Sequence, residues 1–144
     1  MLDQKEIYRY SRQILLPEIG LKGQEKLKAA RVLVVGAGGL GTPVLMYLAG
    51  AGIGTIGIAE FDKVDISNLQ RQFLYGTAES GARKIDLAAE HILRLNPSVV
   101  VNRHDQYLNK ENIRAILQNY DLVIDGSDNL PTRYLVNDAC VLHD

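Results

Sequence analysis

Val32-Leu33-Val34-Val35-Gly36-Ala37-Gly38-Gly39-Leu40-Gly41 runs four β-favouring aliphatic residues straight into a Gly-x-Gly-x-x-Gly spacing. An apolar helical pattern follows, and strand, turn, helix is the order that phosphate binding needs. Each glycine has its own task. Gly36 permits the tight turn, Gly38 lets backbone N–H groups approach a polyphosphate, and Gly41 lets helix and strand pack closely. The helix N-terminus then directs unpaired N–H groups and a partial positive charge at the anion. Gly-rich turns also close many strand-to-helix corners for structural reasons alone. Glu60 favours the phosphate reading, because it ends the next strand about 20 residues on, where a ribose-binding carboxylate belongs. No Gly-x-x-x-x-Gly-Lys-Ser/Thr occurs, so the P-loop signature is excluded.

The 144 residues, 47% of them hydrophobic, suffice for one domain with a real core and are too few for two. Lys plus Arg number 16 against 17 Asp plus Glu, so no global field recommends nucleic acid as a partner. Asp3, Lys5, Glu6, Arg9 and Arg12 interrupt the opening residues, which removes the apolar core of a signal peptide. No apolar run reaches about 18 residues, so a membrane role is not expected either. The single cysteine, Cys140, excludes an internal disulfide and any Cys-x-x-Cys metal site within the chain. The expected compartment is the cytosol.

Around the glycine turn the pattern alternates. Residues 3–16 read as a helix with Asp3 and Glu6 spaced for a capping box and Ile7, Tyr10 and Ile14 on one face, ended by Pro17 and Gly20. A second helix over 23–30 delivers the chain to the strand that begins at Arg31. The helix after Gly41 carries Leu45, Leu48 and Ala49 inward and is capped by Gly52. A strand over 55–60 leads into residues 61–73, which show neither period and read as a functional loop with about one helical turn. Residues 76–81 form a connector. A helix over 83–95 places Ile85, Ala88, Ala89, Ile92 and Leu95 on its core side and stops at Asn96-Pro97. A strand begins at 99–101, a helix covers 109–118, a fourth strand covers 121–125, and a last helix runs toward Leu142. The expected fold is α/β: a Rossmann-like, doubly wound parallel sheet preceded by N-terminal helices. Ligands then sit beyond the carboxyl ends of the strands, where Gly36–Gly41, Glu60, Asp62 and 125–129 all fall.

Three stretches resemble one family. Arg9-Tyr10-Ser11-Arg12-Gln13-Ile14, the glycine turn, and Ser67-Asn68-Leu69-Gln70-Arg71-Gln72 are similar to the ThiF/MoeB-type adenylyltransferases, bacterial relatives of the ubiquitin-activating enzymes. Lys84 and Ser127-Asp128-Asn129 follow in matching order, and the similarity extends over residues 1–144 as one nucleotide-binding domain. The resemblance implies binding of ATP with Mg²⁺ and of a ubiquitin-like sulfur-carrier protein ending in Gly-Gly. It further implies transfer of AMP to the terminal carboxylate with release of pyrophosphate, for thiamine or molybdopterin biosynthesis. A carboxylate is a modest nucleophile, so such a site must screen charge and hold an in-line geometry.

By position the resemblance places Gly39 at the phosphates and Glu60 at the ribose, where relatives mostly carry Asp. It assigns Asn68, Arg71 and Lys84 to the phosphates, within a contact set of Gly36, Gly38, Gly39, Gly41, Glu60, Ser67, Asn68, Leu69, Gln70, Arg71, Lys84, Asp128 and Asn129. Asp128 is the expected Mg²⁺ ligand, and Ser127 or Asp128 also fits a helix cap. Asp62 is a secondary candidate for metal or loop ordering. Arg12 is expected to reach the phosphates of a neighbouring subunit, which implies a homodimer and makes Arg12, Arg71, Lys84 and Asp128 the catalytic set. Cys140 reads as a small buried apolar residue, and the three histidines suggest no metal site.

Relatives continue into further strands, two Cys-x-x-Cys pairs that bind structural Zn²⁺, and a loop that often carries a thiol. The chain stops at Asp144. The expectation is therefore a fragment or truncation with a bare edge on its fourth strand, little carrier surface and weak ATP binding. Two other readings stay open: a non-catalytic nucleotide-binding or dimerisation module, and an NAD-dependent oxidoreductase using Glu60.

Overall fold

The computed structural model describes residues 1–143. Its centre is β1 (Arg31–Val35), flanked on one side by β2 (Thr55–Ala59) and then β3 (Val100–His104), and on the other by β4 (Leu122–Asp125). All pairings are parallel, with Val32 opposite both Ile56 and Leu122. The order β3-β2-β1-β4 reverses direction at β1, so a crevice opens between the carboxyl ends of β1 and β4.

Alternation along the strands builds two cores. Val32, Val34, Ile56 and Ile58 point to the face covered by α4 (Gly41–Ala51) and α5 (Lys84–Leu95), against Leu45, Ala49, Ile85 and Ile92. Leu33, Val35 and Ala59 point to the face covered by α6 (Ile113–Leu117) and α7 (Leu130–His143), against Ile113, Ile116 and Val136. A strand buried on both faces reads as an unbroken aliphatic run, which is why 32–35 carries no polar residue. Each such fully buried side chain contributes about 1.5–3 kcal/mol of transfer free energy.

The N-terminal helices dock on this frame through polar anchors. α1 (Gln4–Arg9) opens with the expected capping box of Asp3 and Glu6. It does not continue to 16: the backbone turns at Tyr10, and α2 (Ser11–Ile14) follows. The cause is Tyr10, 4% exposed, whose hydroxyl accepts a hydrogen bond from the buried Asn96 side chain at 2.8 Å. Asn96 also donates to the Ala49 carbonyl. Gly52 caps α4 at φ 85°, as expected, and there Tyr10 lies where a Cβ would sit. α3 (Gly20–Ala29) starts earlier than expected, at a glycine with φ 56°.

Two other expectations are corrected. The helix over 109–118 shrinks to α6, because the Asn109 side chain accepts from the N–H groups of Glu111 and Asn112 and turns the chain first. Leu95 faces outward at 40% exposure instead of joining the core side of α5. The strand expected to begin at 99–101 is β3, which starts at Val100 and runs to His104. The segment after β2 contains the expected single helical turn, Ile66–Asn68, and a second short turn, Thr77–Glu79, lies in the connector. β4 is an edge strand with Leu122 54% exposed, and nothing among the described residues pairs with its outer side.

Candidate nucleotide site

The crevice between β1 and β4 holds a cavity of about 400 Å³. Its floor is the glycine turn. Gly36 adopts φ 87° and donates its N–H to the Ala59 carbonyl at 2.8 Å. A Cβ on Gly36 would stand 3.0 Å from the Gly126 carbonyl oxygen, and one on Gly41 would collide with the carbonyl of Gly36. Gly126 in turn donates to the Val35 carbonyl, so the turns leaving β1 and β4 interlock.

Gly36, Gly38, Gly39, Glu60, Asp62, Arg71, Lys84, Asp128 and Asn129 all line this cavity. Lys84 is placed by backbone pairing across the loop: Val64 donates to the Ala82 carbonyl, Lys63 bridges Arg83, and the Lys84 N–H donates to the Asp62 carbonyl. The result is a lysine only 3% exposed at the first turn of α5, its Nζ 3.4 Å from Asp62. Arg71 is exposed, lies over Gly39 and donates from Nη2 to Asn68 Oδ1 at 3.0 Å. Asp65 caps the short turn before it, and the Ser67 hydroxyl and N–H hold the Asp65 carboxyl below its usual range. Ser67, Asn68, Leu69 and Gln70 do not line the cavity; they shape the turn that carries Arg71. Gly41 lies behind it as a packing glycine, and Arg12, exposed on α2, is not among its lining residues.

Glu60 is 6% exposed, and its Oε2 accepts from Ala37 N at 2.8 Å. Its Oε1 accepts from the N–H groups of Phe61 and Asp62, both at 2.9 Å. Of about four lone-pair positions on a carboxylate, three are thus taken by backbone, which leaves about one for a ligand. The carboxylate staples the glycine turn to the end of β2, and a two-pronged grip on a ribose is not available to it.

After β4, the Asn129 side chain accepts from Thr132 N at 2.9 Å and caps α7, the task expected of Ser127 or Asp128. Asp128 is left exposed at the rim and enters none of the ion pairs among the described residues. Among those residues no group of three or more His, Cys, Asp or Glu could hold a metal ion by itself. Cys140, partly buried, has its thiol pushed up by burial and by the Asp125 charge, which suppresses the thiolate.

Sequence reasoning missed three contributors, Arg133 and the pair Phe61 and Tyr107. Arg133 lines the cavity and donates through Nε and Nη2 to the Ser127 carbonyl, at 3.1 and 2.9 Å. Its spacing, one turn beyond Asn129, was the available signal. Phe61 and Tyr107 meet edge to face, centroids 5.4 Å apart, and form an aromatic wall beside Glu60. No local pattern links these two, because β2 and β3 bring them together. The arrangement combines cations, N–H donors, an apolar wall and a free carboxylate around one concave space, which suits a polyanion bearing a heterocycle.

The chain is 52% identical over 141 residues to the probable adenylyltransferase/sulfurtransferase MoeZ of Mycobacterium tuberculosis, covering 98% of this chain and 36% of that protein. It is 54% identical over 139 residues to the sulfur carrier protein adenylyltransferase of Thermus thermophilus, covering 96% of this chain and 51% of that one. Among solved structures, the E. coli tRNA N6-threonylcarbamoyladenosine dehydratase TcdA in complex with AMP superposes with a TM-score of 0.93 at 26% identity, over 99% of this chain and 58% of TcdA. The chain therefore spans about a third to a half of the length of the curated relatives it matches. The profile of the ThiF family matches residues 10–144, and the chain belongs to that family.

Proposed function

We propose that this chain is the ATP-binding part of an adenylyltransferase that activates the C-terminal glycine carboxylate of a ubiquitin-like sulfur-carrier protein. The observation that carries the reading is the convergence of buried Lys84, Arg71 and unpaired Asp128 around the glycine turn. In the reaction an oxygen of the carrier carboxylate attacks the α-phosphorus of ATP. The bond from that phosphorus to the bridging oxygen breaks, and pyrophosphate leaves with the electron pair. Backbone N–H groups of the glycine turn and the start of α4 face the phosphates, Arg71 offers a planar fork, and Lys84 offers a desolvated point charge. Glu60 holds one ribose hydroxyl with its remaining lone pair. A Mg²⁺ ion arriving with ATP suits Asp128, since Mg²⁺ takes one or two carboxylates and fills its shell with phosphate and water oxygens. Bound there, it would neutralise phosphate charge.

Arg12 acts, in this reading, on the site of a second copy in a homodimer. Mixing an Arg12→Ala chain with a Lys84→Ala chain tests this, because recovered pyrophosphate exchange requires shared sites. The function itself is tested by carrier-dependent exchange of labelled pyrophosphate into ATP. Arg71→Ala and Lys84→Ala are each expected to lower it roughly 10²–10³-fold, the scale of one lost charge-stabilising donor. Exchange unaffected by either change would overturn the proposal. In thermal unfolding Mg-ATP is expected to raise Tm and NAD to leave it unchanged. In a second reading the chain binds nucleotide without transferring AMP. A Tm rise with Mg-ATP but no exchange would select it.

A further inference from the structure

Tyr75 belongs to no motif, yet it is 5% exposed and its hydroxyl donates to the Ala37 carbonyl at 2.8 Å. Ala37, itself fully buried, is thereby held at its carbonyl by Tyr75 and at its N–H by Glu60. The next two residues of the turn meet the same segment. Gln72 reaches within 3.3 Å of the Cβ position at Gly38, and Arg71 Cγ within 3.3 Å of that at Gly39. Tyr75, Gln72 and Arg71 thus lie along residues 37, 38 and 39 in register. Short backbone turns connect them, with Tyr75 N donating to the Gln72 carbonyl, and Arg71 N and Gln72 N donating to the Asn68 carbonyl.

Few other side-chain hydrogen bonds hold this segment in place. Gln72 Oε1 is buried with no partner among the described residues, and Phe73 is 71% exposed. Leu74 packs on the core, so losing the Tyr75 hydroxyl loosens the segment without detaching it. We propose that Tyr75 is a positioning residue whose hydrogen bond to Ala37 seats the 71–75 segment on the glycine turn and so sets where the Arg71 guanidinium meets the phosphates of a nucleotide. The proposal rests on the nucleotide reading above. It also gives Gly38 and Gly39 a second task, since a side chain at either would press on the segment that carries the arginine.

The test uses the full 144-residue chain with Tyr75→Phe, which keeps the ring, and Tyr47→Phe, an exposed hydroxyl on α4, as the control. Amide hydrogen exchange is read without ligand, and Mg-ATP affinity by calorimetry. Tyr75→Phe is expected to speed exchange in residues 68–75 and to weaken Mg-ATP roughly tenfold, the order of one buried hydrogen bond. In an Arg71→Ala background it is expected to weaken Mg-ATP less than about twofold further, because the effect travels through the arginine. Unchanged exchange, or a Tyr75→Phe effect that simply adds to that of Arg71→Ala, overturns the proposal. Altered exchange in a chain that takes up no Mg-ATP overturns the nucleotide reading and the functional half of the proposal with it, while the contact between the two segments stands.

Discussion

Glu60→Gln separates a carboxylate that holds the fold from one reserved for a ligand. The glutamate accepts from three backbone N–H groups, Ala37 on one oxygen and Phe61 and Asp62 on the other. A glutamine has one oxygen and one NH₂. Turned to keep Phe61 and Asp62, it aims a donor at the Ala37 donor, whose residue is fully buried. That unpaired N–H costs about 1–3 kcal/mol. The two surviving bonds lose their charge assistance and about half their strength, together another ~1–2 kcal/mol. The sum is about 2–5 kcal/mol, which for a chain of this size lowers Tm by roughly 5–15 °C. Urea unfolding followed by circular dichroism measures it, with an unchanged m-value showing that the unfolded state is not the cause. Glu90→Gln, on the exposed side of α5, serves as the control and is expected within about 0.5 kcal/mol of the parent. If Glu60→Gln also stays within that range in the absence of nucleotide, the staple is not real and the carboxylate is free for the ribose.

Gly41→Ala places a methyl on the Gly36 carbonyl and is expected to destabilise by about 3 kcal/mol or more, whereas Gly50→Ala, with open space around it on the same helix, is expected to stabilise by ~0.5–1 kcal/mol; thermal melts of both check the contrast. The Lys28 ammonium, followed by the Asp3 N–H, holds the Glu6 carboxyl below its ordinary 4.5. Its folded pKa is thus the lower one, so its stabilisation is present above the unfolded value and is lost as pH falls through the folded one. Glu6→Gln is accordingly expected to be less stable at neutral pH and to show a shallower acid limb in melts between neutral pH and pH ~3. Arg133→Lys replaces a two-pronged grip on the Ser127 carbonyl by a single point contact. It is expected to weaken Mg-ATP roughly tenfold with a small change in Tm, and calorimetry showing no change would remove Arg133 from the site.

The sheet was legible because its signals are local. Residues 32–35 are aliphatic at every position for the reason that two helical layers cover them, and 85, 88, 89 and 92 repeat at helical spacing because one face of α5 meets that sheet. Expectations failed where a side chain competes with the period. Tyr10 fits a helical face, yet its hydroxyl is drawn to Asn96, and the helix breaks there. Asn109 and Asn112 sit inside an apolar pattern, yet each side chain accepts from the other's backbone N–H and delays the helix. Asn-x-x-Asn before Ile113 was a readable sign of that, since short amide side chains favour turns over helix interiors.

The candidate site divides along the same physical line. The glycine spacing, Arg71 and Asp128 were singled out because each lies in a contiguous motif, and Lys84 because it falls in matching order with them; the fold brings all of them to one cavity. What no motif supplied is the reason they stay there. Tyr75 and Ala37 are 38 residues apart, Asn96 and Tyr10 are 86 apart, and neither pair leaves a trace in composition or period. Such bonds exist only after the parallel sheet has set the ends of its strands side by side, and by then their partners are buried polar groups that are expensive to leave unpaired. A glycine turn stapled by Glu60 from one side and Tyr75 from the other cannot shift to suit a ligand. Its N–H groups are fixed in advance, and that fixity is what gives a phosphate-binding turn its strength, because no reorganisation remains when the charge arrives.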